Sequence, residues 1–97
     1  KVSGVTVENV KTGELSEHEF GGIFIYVGVN PVTSMVADLG ITDEAGWVIT
    51  DERMMTPKAG IFAIGDVRQK ELRQIATAVG DGAIAGQGVY QYIENMT

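Results

Sequence analysis

The stretch Gly60-Ile61-Phe62-Ala63-Ile64-Gly65-Asp66, followed shortly by Arg73-Gln74-Ile75-Ala76, constrains this chain more than any other. A brief apolar run ends in Gly-Asp, a polar connection spans Val67 to Leu72, and a small-residue helix then begins. This order reads as a buried strand that brings one carboxylate, and then a helix N-terminus, to a polar ligand. In open α/β sheets such ligands bind outside the carboxyl ends of the strands. Glycine lets the ligand approach the backbone, and the Asp66 carboxylate can accept hydrogen bonds from hydroxyls. The first turn of a helix offers unpaired N–H groups and about half a positive charge, which favours anions.

The rest of the chain reads as short strands joined by glycine turns. Val2, Val5, Val7 and Val10 fall among polar residues, a half-buried strand with an irregularity near Gly4. Lys11-Thr12-Gly13-Glu14 is a turn signal, and Leu15 to Phe20 returns as a second strand of a β-hairpin. Gly22 to Gly28 is a continuous apolar run, long enough for a strand buried on both faces, and Asn30-Pro31 ends it. Val32 to Leu39 suits a short helix capped by Thr33 or Ser34, with Gly40 just beyond. Asp43-Glu44-Ala45-Gly46 reads as a turn, Trp47 to Thr50 as a brief strand, Thr56 to Gly60 as a loop and Ile61 to Ile64 as a strand.

From about Arg73 to Asn95 only glycine interrupts a helical pattern. Gly80, Gly82, Gly86 and Gly88 together cost roughly 3–4 kcal/mol against alanine in a helix interior. Close packing must offset that loss. Ala78, Gly82, Gly86 and Tyr90 share one face, with Ala76, Gly80 and Ile84 on an adjoining one.

Composition narrows the functions. At 97 residues the chain is one domain at most, with the 44% hydrophobic and 21% charged content of an ordinary globular protein. Acidic residues outnumber basic ones 13 to 7, and the basic ones are scattered, which disfavours a nucleic-acid partner. No apolar run approaches the ~20 residues of a membrane span, and no signal peptide opens the chain. The start at Lys1 suggests an excised piece of a longer protein. There is no cysteine, so disulfides, thiolate metal sites and a Cys-x-x-Cys redox pair are excluded within these residues. His18 stands alone and reads as a surface residue, not a metal ligand. Asp43 with Glu44, and Asp51 with Glu52, are adjacent pairs whose side chains diverge in turns or strands, and they read neither as a catalytic dyad nor as a calcium loop. Met54-Met55 and Trp47 read as packing. No catalytic or metal-ligating residue is assigned.

The wording Gly-Ile-Phe-Ala-Ile-Gly-Asp-Val, then Arg-Gln-Ile-Ala-Thr-Ala-Val-Gly-Asp-Gly-Ala-Ile-Ala, closely resembles the C-terminal FAD-binding segment of low-molecular-weight bacterial thioredoxin reductases. The resemblance runs from about Val2 to about Ile93 and corresponds to the last third of such an enzyme. It implies an α/β architecture, the C-terminal part of a two-domain FAD/NAD(P)-binding Rossmann-like fold, with α+β character in isolation. It further implies that residues 1–28 end the NAD(P)H-binding domain and residues 29–97 form the C-terminal piece of the FAD-binding domain. Gly65, Asp66, Arg73, Gln74, Ile75 and Ala76 are then the cofactor-binding residues. Asp66 would bind the ribityl and pyrophosphate-proximal part of FAD. The helix start would face the N1–C2=O edge of the flavin, where negative charge develops on reduction. Arg73 would reach a phosphate or a flavin carbonyl, and Gln74 and Ala76 would offer backbone N–H groups.

The parent enzyme so implied is a cytoplasmic homodimer that uses FAD and NADPH and reduces thioredoxin or a similar disulfide protein. This chain lacks the Cys-x-x-Cys and both dinucleotide-binding glycine motifs, so it is expected to be inactive alone, to bind FAD weakly at best and to form homo-oligomers. Two alternatives stay open. One is a piece of a thioredoxin-reductase-type ferredoxin/flavodoxin–NADP reductase, and the other is a non-catalytic module that dimerises through its small-residue helix.

Overall fold

The computed structural model describes residues 1–96. Its N-terminal part is an antiparallel hairpin of β1 (Gly4–Glu8) and β2 (Leu15–Glu19). Gly4 pairs with Glu19, Val5 with His18 and Glu8 with Leu15. The turn forms because the Asn9 side chain accepts the N–H of Lys11 at 3.0 Å, while the Gly13 N–H reaches the Asn9 carbonyl at 2.7 Å. Gly13 adopts φ 74°, as the turn signal requires. His18 is exposed, with its ring stacked at 6.1 Å on Phe20 and its Nε2 3.1 Å from the Ser16 hydroxyl.

The hairpin makes no contact with the long C-terminal helix, α1 (Ile75–Asn95). The chain measures 66 × 26 × 22 Å with a radius of gyration of 20.3 Å. A compact domain of this length would have a radius near ~13 Å. The described residues are therefore drawn out, not gathered around one centre.

Three expected strands do not form as strands. Residues 22–28 run without regular structure, and Phe24, Ile25, Tyr26 and Val27 are exposed. Trp47 to Thr50 shrinks to single bridges at Val48, antiparallel to Thr42 and parallel to Arg68. Ile61 to Ile64 shrinks to one bridge between Phe62 and Met55. The reason is common to all three. An extended segment becomes a strand only when neighbours satisfy its backbone row, and the described residues supply at most a pair or two.

What core exists is built around Val48. Its N–H donates to the Val67 carbonyl at 2.9 Å and its carbonyl accepts the Gln69 N–H at 2.7 Å. Ile41, Val48, Met54 and Ala85 are its buried apolar members. The expected helix from Val32 to Leu39 is a tighter 3-10 helix, Ser34–Leu39, closed by Gly40 in the left-handed region. Thr33 does not cap it through its side chain, because that buried hydroxyl donates instead to the Gly46 carbonyl at 2.7 Å.

Two turns frame the core and share one design. Asp43 Oδ1 accepts the N–H groups of Ala45 and Trp47 at 3.0 and 2.9 Å. Asp51 Oδ1 accepts those of Arg53 and Met55 at 2.9 and 3.0 Å. Each carboxylate closes its own turn by mimicking a backbone acceptor. In each, the residue three positions on has positive φ, 95° at Gly46 and 68° at Met54. Met54 is also 5% exposed, so the left-handed backbone aims its side chain into the core.

The helix α1 begins two residues later than the expected start at Arg73, because Gln74 remains extended at φ −140°, ψ 162°. Its buried residues are Asp81, Ala85 and Gly88. That face differs from the one expected from Ala78, Gly82, Gly86 and Tyr90. Gly88 is where close approach is real: a Cβ there would lie 2.8 Å from the Arg53 carbonyl and 3.2 Å from the Phe62 ring. Gly80 and Gly86 would meet nothing within 4 Å among the described residues.

Replacing Gly88 by Ala gains helix propensity of about 1 kcal/mol but forces overpacking that costs about 1–3 kcal/mol against a backbone atom. Thermal unfolding should therefore show Gly88→Ala destabilised and Gly86→Ala at least as stable as the parent.

Candidate functional site

The loop after Phe62 turns sharply at Gly65, whose φ of 77° is costly for any residue with a Cβ. Gly65–Val67 form a single 3-10 turn, closed by the Arg68 N–H on the Gly65 carbonyl at 3.1 Å. Asp66 stands on this turn with its carboxylate exposed and without a partner among the described residues. The turn packs against the start of α1.

Arg73 joins the two elements. Its Nε donates to the Asp66 carbonyl at 2.8 Å and its Nη2 to the Arg68 carbonyl at 2.9 Å. Its guanidinium also lies 3.6 Å above the Trp47 ring, a cation–π contact. Two of its five N–H groups are thus committed to the loop backbone. The expectation that Arg73 reaches a phosphate or a carbonyl of a ligand must share the side chain with this structural duty.

The helix start is closed by Thr77, whose hydroxyl lies 2.9 Å from the Gln74 carbonyl and accepts the Gln74 N–H at 3.0 Å. That N–H, expected to be offered to a ligand, is instead taken by the cap. The Ala78 N–H makes the first intrahelical bond, to the Gln74 carbonyl at 3.0 Å. The N–H groups of Ile75 and Ala76 precede it and have no intrahelical acceptor. Both residues are exposed.

Asp66, Arg73, Gln74, Ile75 and Ala78 together line an open depression of about 310 Å³. A second depression, about 280 Å³, meets it at Asp66 and is lined by Asn30, Pro31, Val32, Trp47 and Val67 among others. Four of the six residues singled out from sequence therefore share one concavity. Gly65 is buried beneath it, and Ala76 lies on the adjoining exposed turn. The donor set is mixed: a free carboxylate for hydroxyls, helix N–H groups for a carbonyl or anionic edge, and Ile75 and Ala78 for an apolar face. That mixture fits one side of a flavin nucleotide.

The residue that sequence reasoning missed is Asp81. It is 7% exposed, and its Oδ2 accepts the Gly65 N–H at 2.9 Å. The same oxygen pairs with Arg68 Nη1 at 2.8 Å and Lys70 Nζ at 3.0 Å. Arg68 Nε is held in turn by the Thr50 hydroxyl at 2.7 Å. Burial pushes the Asp81 carboxyl up, but the hydrogen bonds from Lys70, Arg68 and Gly65 outweigh it and hold the group at about 2. A signal was available: an aspartate nearly two turns inside a small-residue helix is poorly placed unless something pairs with it. Among the described residues there is no group of acidic, His or Cys side chains suited to a metal ion, and no helix long and apolar enough to cross a membrane.

Comparison with known proteins identifies relatives. The pyridine nucleotide-disulphide oxidoreductase family matches residues 1–82. Thioredoxin reductase of Bacillus subtilis (strain 168) is 50% identical over 96 residues, which is 99% of this chain and 30% of that protein. The crystal structure of thioredoxin reductase from Streptococcus pyogenes MGAS5005 superposes with a TM-score of 0.79 at 71% identity, covering 96% of this chain and 30% of the other. That of Lactococcus lactis thioredoxin reductase gives a TM-score of 0.82 at 62% identity, covering 96% and 31%. The chain thus spans about 30% of the length of the curated relatives it matches.

The charge on Asp81 makes the loop acid-sensitive. Its folded pKa of about 2 lies below the ordinary 3.8, so its stabilising effect is complete above 3.8 and fades as pH falls toward 2. An acid unfolding series should lose stability across that window, and Asp81→Asn, already unable to ionise, should flatten it.

Proposed function

This chain belongs to the pyridine nucleotide-disulphide oxidoreductase family, and on that premise we propose that it is the C-terminal portion of an NADPH-dependent thioredoxin reductase. The mixed α/β architecture and the identities with thioredoxin reductases support this reading. The identities favour it over the ferredoxin/flavodoxin reductase alternative. The observation that carries it is the single depression in which Asp66 meets Arg73, Gln74 and Ile75 at the start of α1.

FAD, when bound, would relay reducing equivalents from NADPH to a protein disulfide. This chain's own part is to bind and orient. Gly65 keeps side-chain atoms away from the ligand, and the Asp66 carboxylate accepts hydrogen bonds from sugar-alcohol hydroxyls. The N–H groups of Ile75 and Ala76 donate to an electron-rich edge, where the helix dipole favours negative charge. Gln74 and Ile75 shape the wall, and Arg73 holds the loop while presenting its remaining N–H groups.

In this reading residues 1–28 finish the NADPH domain and residues 29–97 complete the FAD domain. The chain contains no cysteine, so the redox-active pair of the parent lies outside these residues. The parent works as a cytoplasmic homodimer on thioredoxin or a similar disulfide protein, and these residues alone have no reductase activity.

The test is flavin affinity in the full-length protein. Removing FAD and titrating it back should show Asp66→Ala binding at least about tenfold more weakly than the parent, the scale of a lost charge-assisted hydrogen bond. Unchanged affinity in a folded Asp66→Ala protein would reject the flavin assignment.

A further inference from the structure

Asp66 sits where three successive peptide units are each held by one hydrogen bond. The Gly65 N–H is bound by Asp81 Oδ2 at 2.9 Å. The Gly65 carbonyl accepts the Arg68 N–H at 3.1 Å, and the Asp66 carbonyl accepts Arg73 Nε at 2.8 Å. The middle bond is local to the turn, and the third comes from a residue that precedes α1. Only the first ties the turn to the body of the helix, across 16 residues of sequence.

The tie is strong for physical reasons. A buried carboxylate is stable only when fully paired, and Asp81 gathers one backbone donor and two cations on one oxygen. Both cations come from the same loop, so Arg68 and Lys70 pull the segment after Asp66 toward the helix while Gly65 is pulled from before it. The loop closes around Asp81, and Asp66, exposed between these anchors, lines both depressions.

We infer that Asp81 is a positioning residue for Asp66: its carboxylate fixes the loop 65–70 on α1 so that Asp66 is pre-organised for the ligand. The inference rests on the flavin reading of Asp66 given above. Asp81 touches no ligand itself. It lowers the cost of ordering the loop at the moment of binding, so its effect on affinity passes through Asp66.

A double-mutant cycle on FAD binding to the full-length apoprotein separates this from simple stabilisation. Asp81→Asn keeps the side-chain shape but loses the charge that gathers Arg68 and Lys70. In the parent background it should weaken FAD binding by about tenfold, and by less than about twofold once Asp66 is already Ala. The same fold-change in both backgrounds, or no change in the parent, overturns the inference. If Asp66→Ala alone leaves affinity unaltered, the flavin reading has failed on a variant that does not touch Asp81, and the positioning role falls with it. Hydrogen exchange of the parent gives an answer even if Asp81→Asn does not fold. The Gly65 amide should be protected in the flavin-free protein, and free exchange there overturns the inference.

Discussion

One buried carboxylate organises the loop between Gly65 and Lys70. Asp81 is an anion placed inside a helix that is otherwise apolar, small or neutral at its buried positions. Its burial would be prohibitive without compensation, and Gly65, Arg68 and Lys70 provide that compensation from a single loop. The geometry of residues 65–70 is therefore a consequence of satisfying Asp81. Arg73 then fastens the same loop from the other side and stacks on Trp47, which links it to the small core around Val48.

This arrangement explains why a chain with so little regular β-structure still has a defined loop geometry beside α1. Among the described residues the buried apolar side chains are four, with Thr33, Thr56 and Asp81 as the buried polar ones. Polar contacts with a fixed direction carry what area cannot. The turn carboxylates of Asp43 and Asp51, the Thr33 hydroxyl and the Asp81 cluster each hold backbone groups that a fuller sheet would otherwise pair. Within the family, the chain matches about 30% of the length of a thioredoxin reductase.

The candidate depression was legible in sequence at the points where chemistry dictates residue type. Gly-Asp at the end of an apolar run, and a small-residue helix soon after, were enough to bring Asp66 together with Arg73, Gln74 and Ile75. The hairpin was legible because alternation and a glycine turn are local signals. The strands at 22–28, 47–50 and 61–64 were misread because apolar runs report burial potential and not the presence of a neighbour. The helix face was misread for a related reason. Glycine spacing points equally to several faces, and only the distances at Gly88 show which one is closely approached. Asp81 was passed over because its partners lie 11 to 16 residues away, beyond any local pattern.

Met54 shows how narrowly a single position can be drawn. Its backbone occupies the left-handed region, where β-branched side chains are excluded, yet its side chain is a buried member of the core. Glycine would relieve the backbone and vacate the interior, while valine or isoleucine would fill the interior and be refused by the backbone. The matching turn at Gly46 solves the opposite problem, since a Cβ there would press to 3.1 Å on Pro31. Two turns with one hydrogen-bond plan thus accept almost disjoint alphabets. Drift that is neutral in one of them is closed to the other.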